Sequence, residues 1–174
     1  MTHVLVTGGA GYIGSVLVGL LLNAGYKVTV VDSFLYGETS LLAYMTNPYF
    51  SCLRGDVRHL ELMEPLIKEV DIIIPLACLV GAPLCDYDQV GARTTNHDSV
   101  EMILSLMRPA QKLLFPTTNS GYGVGLGDDY CTEESPLNPI SLYARLKVDI
   151  EKKILSSGQG ITFRLATVFG VSTR

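Results

Sequence analysis

Between the apolar run Val4-Leu5-Val6 and an amphipathic run that opens at Ile13, the chain places four glycines in eight residues, Thr7-Gly8-Gly9-Ala10-Gly11-Tyr12-Ile13-Gly14. A strand that must pass at once into a helix, with almost no side chains in the turn, has few ways to fold. Gly8 permits the tight turn, Gly11 lets backbone approach a bound group, and Gly14 lets the helix lie close on the strand. The first helical turn then offers N–H donors and a partial positive charge, which suit a diphosphate. Asp32 stands at the end of the next apolar run, about 20 residues on, where a carboxylate accepts hydrogen bonds from ribose hydroxyls. It also repels a 2′-phosphate, and Ser33-Phe34-Leu35-Tyr36 brings no Arg or Lys to offset that repulsion. The pattern favours NAD over NADP.

The rest of the chain repeats the same alternation of strand-like and helix-like runs, without internal repeats or low-complexity linkers. Strands are predicted at 3–7, 27–32, 49–54, 71–76, 112–116 and 161–166, and helices at 13–24, 38–45, 60–69, 88–107 and 141–156. Short connections with right-handed crossovers turn such an alternation into a parallel sheet covered by helices on both faces. The expected fold is α/β, a doubly wound sheet of order 3-2-1-4-5-6. With 174 residues, 48% of them hydrophobic, the chain suffices for one dinucleotide-binding domain, 1–174.

Composition excludes several partners. Thirteen basic residues face seventeen acidic ones with no run of like charge, so nothing draws the chain to nucleic acid or to an anionic membrane. The apolar stretch 72–84 is shorter than the roughly 20 residues a bilayer requires and reads as a buried strand and its exit loop. The amino terminus lacks a basic region, so no signal peptide is expected. Cys52, Cys78, Cys85 and Cys131 show no CxxC spacing, and His59 and His97 read as surface or core residues. A reduced, cytoplasmic, metal-free protein is expected.

A second chemical signal lies in Tyr143-Ala144-Arg145-Leu146-Lys147, inside the last predicted helix. Residues four apart share a helix face, so phenol and ammonium can look into one cleft. A nearby cation favours the phenolate, lowering a pKa near 10 toward the range of a general acid or base. The pair alone is weak, and its weight comes from the glycine turn upstream.

Together the two signals resemble the extended short-chain dehydrogenase/reductases of the NAD-dependent epimerase/dehydratase family, over the whole length. The TGxxGxxG form of Thr7 to Gly14 is that branch's pattern. The resemblance implies that Gly8, Gly11, Tyr12, Ile13, Gly14, Asp32, Asp56, Val57, Leu76, Ala77, Tyr143 and Lys147 bind NAD, with Asp56 meeting the adenine. It implies that Asn96 is a structural and proton-relay position, and that Arg164 and the segment from Val168-Phe169-Gly170 to Arg174 lead toward the substrate.

In this family the loop after the fifth strand carries a Ser or Thr four residues before a Tyr-Gly pair, and Thr118 stands four before Tyr122-Gly123. The expected catalytic set is therefore Thr118, Tyr143, Lys147 and Asn96, with Thr118, Asn119, Ser120 and Arg164 against a nucleotide sugar. Nucleotide-sugar 4,6-dehydratases carry Asp and Glu where this chain has Asn119 and Ser120, so the elimination step lacks its acid and base. Gly121 replaces a bulkier residue, which points to a differently shaped loop. Epimerisation through a transient ketone is the expected activity. A dehydrogenase, reductase or decarboxylase of the same family and a non-catalytic NAD-binding module are the alternatives. Family members continue well past the segment around Arg174, so a substrate lobe is expected beyond it. A homodimer through the fourth and fifth predicted helices is implied by resemblance, with Leu146, Ile150 and Ile154 as its apolar stripe.

Overall fold

The computed structural model describes residues 1–37, 39–124 and 130–174. β1 (His3–Thr7) passes through the glycine turn into α1 (Tyr12–Asn23), followed by β2 (Lys27–Asp32), β3 (Phe50–Arg54), α2 (Leu60–Glu69) and β4 (Ile72–Pro75). A short α3 (Ala82–Tyr87) precedes α4 (Gln89–Arg93), a π-helical turn (Thr94–Asp98) and α5 (Ser99–Leu106). Then come β5 (Lys112–Thr118), a 3₁₀ turn (Asn119–Tyr122), α6 (Leu142–Ser157) and β6 (Gly160–Leu165). The six strands form one parallel sheet of order β3-β2-β1-β4-β5-β6, the predicted topology.

Strand alternation sorts the core into two layers. Val4, Val6, Val28, Val30 and Ile74 face α1, while Leu5, Ile73, Leu113 and Phe115 face α2, α5 and α6. A strand with helices on both sides reads as an unbroken apolar run, which is why β1 is buried along its whole length. α6 starts where Ser141 Oγ accepts the Ala144 N–H at 3.2 Å and ends at Gly158, which adopts the left-handed region at φ 69°.

Three expectations need correction. The helix predicted at 38–45 is only a 3₁₀ turn over Leu42–Tyr44, and Glu38 lies outside the described residues. Ser40 Oγ donates to Ala10 O at 2.9 Å, which ties this segment down onto the glycine turn in place of helical bonding. Part of the predicted exit loop at 72–84 belongs to α3, which begins after Gly81 (φ 89°) with a proline in its first turn. The helix predicted at 88–107 is interrupted by the π turn, which carries both Asn96 and His97 inward.

The proposed dimer stripe is also used differently. Leu146, Ile150 and Ile154 are buried within the chain itself, the last two against the sheet, so the stripe offers nothing to a partner. His97 is buried too, its ring nitrogens 2.7 and 2.9 Å from the Asp98 and Asp149 carboxylates, bridging the π turn and α6. No helix among the described residues is long and apolar enough to cross a membrane.

Ile150 is fully buried between α6 and the sheet. Replacing it with Ala is expected to cost about 2–5 kcal/mol, read as a lower urea midpoint at unchanged slope.

Candidate functional site

At the carboxyl ends of the strands lies a cleft of about 950 Å³. Its position follows from topology, because β1 connects outward to β2 on one side while β4 pairs on the other, and the crevice opens where the order reverses. Gly8 makes the crossing possible. It sits at φ 69°, and a Cβ there would stand 2.5 Å from Ala77 N at the end of β4. At Gly14 a Cβ would lie 2.6 Å from both Gly8 O and Gly9 Cα, so the helix could not seat on the turn. Gly11 precedes α1 as its N-cap and offers no side-chain cap, leaving the first-turn N–H groups for an anion.

On the β2 side, Asp32 is held by two backbone donors, Ala10 N at 2.9 Å and Phe34 N at 2.8 Å. Asp56 lies further along the wall, where Arg58 takes its carboxylate with Nη2 at 2.5 Å from Oδ2. That hydrogen bonding, opposed by burial, holds Asp56 below the usual carboxylate range.

On the β5 side, Thr118 ends the strand and its Oγ1 accepts the Ser120 N–H at 3.1 Å, capping the 3₁₀ turn. The hydroxyl hydrogen is then directed elsewhere. Tyr143 and Lys147 enter from consecutive turns of α6. Lys147 Nζ donates to Pro116 O at 3.1 Å and lies 4.4 Å above the centre of the Phe115 ring. Every residue of the expected catalytic, cofactor and substrate sets lines this cleft, Asn119 and Ser120 included, except Asn96 and Arg164.

Those two exceptions have clear geometry. Asn96 is buried and its amide is used on backbone, Oδ1 accepting from Leu79 N and Nδ2 donating to Leu79 O, both at 2.8 Å. It clamps the loop after β4 and does not wall the cleft. Arg164 faces α6 instead, its Nε 2.8 Å from Glu151 Oε1 and its Nη1 3.1 Å from Tyr122 OH.

Comparison with known proteins agrees with this geometry. The NAD dependent epimerase/dehydratase family matches residues 4–174. The chain belongs to that family. UDP-glucuronic acid decarboxylase 1 of Arabidopsis thaliana is 32% identical over 175 residues, covering 96% of this chain and 39% of the relative. The UDP-glucose 4-epimerase of Thermus thermophilus, solved with NAD, superposes with TM-score 0.82 at 28% identity, covering 94% of this chain and 54% of that one. The dTDP-glucose 4,6-dehydratase of Bacillus anthracis, also solved with NAD, gives TM-score 0.82, 28% identity and the same coverage. The chain thus spans about half or less of the length of the curated relatives it matches.

Within this epimerase/dehydratase frame, the Tyr143–Lys147 pair departs from expectation. Tyr143 lies higher than an ordinary phenol, because burial disfavours its anion and the thiols of Cys78 and Cys85 add to the effect. The shift therefore runs opposite to the lowering expected from Lys147, whose ammonium donates to the Pro116 carbonyl. Cys78 also lines the cleft, and burial pushes its thiol up against an opposing pull from Lys147.

The segment from Val168 to Arg174, expected to lead toward the substrate, lies instead against the start of α1. Tyr12 OH donates to Gly170 O at 2.6 Å and Ser172 Oγ to Tyr12 O at 3.0 Å, so the segment after β6 lies across the first turn of α1. It carries Arg174 to 4.5 Å from the centre of the Tyr36 ring, on the cleft's Asp32 side. A cation thus reaches a stretch that has none of its own. No local motif announces it, because the approach depends on where β6 ends.

The raised phenol has a pH consequence. An unfolded tyrosine ionises near 10, so the folded state loses stability as pH rises past about 10 toward the higher folded value. Urea midpoints of the cofactor-free protein are expected to fall more steeply above that pH than those of Tyr143→Phe. Equal slopes would contradict the burial argument.

Proposed function

We propose that this chain carries the cofactor and acid–base part of an NAD-dependent nucleotide-sugar epimerase that works through a transient ketone. The observation supporting the reading is that Thr118, Tyr143 and Lys147 share one cleft with the glycine turn and Asp32. The uncapped start of α1 and the carboxylate of Asp32 suit the diphosphate and a ribose of NAD. When bound, NAD supplies a hydride acceptor and, later, a hydride donor.

The remaining steps belong to the chain's own residues. Thr118, whose oxygen already accepts from Ser120 N, donates its O–H to the sugar hydroxyl being oxidised. Tyr143 removes that hydroxyl's proton as the ring carbon becomes a ketone and returns it on reduction. Lys147, held between Pro116 O and the Phe115 ring, adds positive charge to the same end of the cleft. Leu79, clamped by Asn96, packs with Tyr143 in one apolar cluster and limits water there. Turning the ketone over before the hydride returns inverts the carbon. Asn119 and Ser120 offer no carboxyl group, so elimination of water is disfavoured.

Decarboxylation is the second reading, favoured by the 32% identity to UDP-glucuronic acid decarboxylases. A ketone placed β to a sugar carboxylate loses CO₂ without a carboxylic acid at 119 or 120. Incubating the purified protein with UDP-glucose and, separately, UDP-glucuronic acid distinguishes the outcomes by NMR. An epimer supports the first reading, and CO₂ with a UDP-pentose moves the assignment to the second. Accumulating NADH marks a dehydrogenase, and NAD binding without any product marks a non-catalytic module. Tyr143→Phe is expected to lower kcat about 10²–10⁴-fold with NAD affinity retained. Undiminished turnover in that variant would remove Tyr143 from the mechanism.

A further inference from the structure

Tyr143, Lys147 and Glu151 follow one another at four-residue steps along α6, so they form a single stripe on one face. The first two reach the cleft. The third lies under the sheet, 2% exposed, and its Oε1 meets Arg164 Nε at 2.8 Å. Its other carboxylate oxygen finds no hydrogen-bond donor among the described residues, so the buried charge leans on Arg164.

Arg164 connects onward to the opposite arm of the site. It lies on β6 in register with Thr117 of β5, one residue before Thr118. Its Nη1 donates to Tyr122 OH at 3.1 Å and to Glu133 O at 3.0 Å, and the guanidinium lies 5.2 Å from the centre of the Tyr122 ring. Tyr122 is the last residue of the 3₁₀ turn that Thr118 caps. The turn also rests directly on α6, because a Cβ at Gly121 would stand 2.9 Å from Val148 Cγ2. Gly121 O in turn accepts from Asn138 N at 2.9 Å, tying the segment that leads into α6.

We propose that the partly buried Arg164–Glu151 pair is a positioning device, with one guanidinium joining the helix that carries Tyr143 to the turn that orients Thr118. Arg164 acts through Glu151 and Tyr122, never touching the cleft itself. The inference rests on the acid–base reading of Tyr143 and Thr118 given above, and deepens it by naming what sets their separation.

Removing one partner leaves a buried charge and endangers the fold, whereas replacing both by apolar residues of similar volume is often neutral for stability. The test therefore uses Glu151→Leu with Arg164→Met together, and Tyr122→Phe as a second variant that leaves the pair intact. In the double variant the urea midpoint and the NAD dissociation constant are expected to stay within twofold of the parent. Its kcat with whichever of UDP-glucose or UDP-glucuronic acid the parent turns over falls at least tenfold at unchanged KM, and Tyr122→Phe falls severalfold. The NAD complex is also titrated by NMR of ring-labelled tyrosine, where the Tyr143 midpoint of the double variant moves by more than half a pH unit. Parent-like kcat and parent-like Tyr143 titration in the double variant overturn the proposal. If the parent turns over neither sugar, the functional reading fails while the tyrosine titration still decides the positioning role.

Discussion

The structure depends on one close approach. The turn out of β1 passes so near the end of β4 that only a residue without a side chain, in a left-handed backbone conformation, fits at Gly8. That contact draws the start of α1 over the strand ends, and the cleft exists because of it. A methyl group at Gly8 or Gly14 would lift the helix and remove the backbone surface that a diphosphate needs. Asp32 depends on the same contact, since one of its carboxylate oxygens is held by Ala10 N within the turn. The uncapped start of α1 and the carboxylate of Asp32 are therefore fixed by one piece of local geometry.

α6 has to satisfy two demands. Ile150 and Ile154 anchor it in the sheet's core, while Tyr143 and Lys147, nearer its start, face the cleft. Glu151 lies between these regions and is paired with Arg164 instead of solvent. A helix held by apolar contacts alone can slide or rotate slightly at little cost, because dispersion and burial are not directional. A charged, forked hydrogen bond is directional. Glu151 follows Lys147 by one helical turn, and its pairing with Arg164 carries on to Tyr122, so the packed helix has a directional link to the turn that Thr118 caps.

What the sequence made legible was what depends on spacing along the chain. The glycine turn, Asp32, the Tyr143–Lys147 pair and the strand order all follow from local pattern, and the structure brings those residues together. What it hid depends on contacts between distant segments. Arg164 reads as a substrate residue until β6 is placed beside β5 and its guanidinium is seen to meet Glu151. Asn96 reads as a structural and relay position alike, and only the π turn shows its amide spent on the backbone of Leu79. Leu146, Ile150 and Ile154 look like a partner surface because an apolar helical stripe has the same pattern whether it faces another chain or its own sheet. Arg174 arrives beside Tyr36 from well over a hundred residues away, which no inspection of 33–36 reveals.

The electrostatics of Tyr143 follow the same division. Spacing correctly places the phenol and the ammonium on one face, but the sign of the shift depends on what surrounds them. Burial beside Leu79, Leu146 and Cys85 disfavours the anion, and the Lys147 ammonium, bonded to the Pro116 carbonyl, does not reverse that. An ion of the opposite sign in a water-poor cleft acts on a buried group far more strongly than the same ion in solvent. A cation held in the cleft would therefore have a large effect on a phenol that burial keeps protonated. On this argument the burial that raises the phenol in isolation also makes it responsive, so its ionisation depends on the charge occupying the cleft and not on the pH of the solution alone.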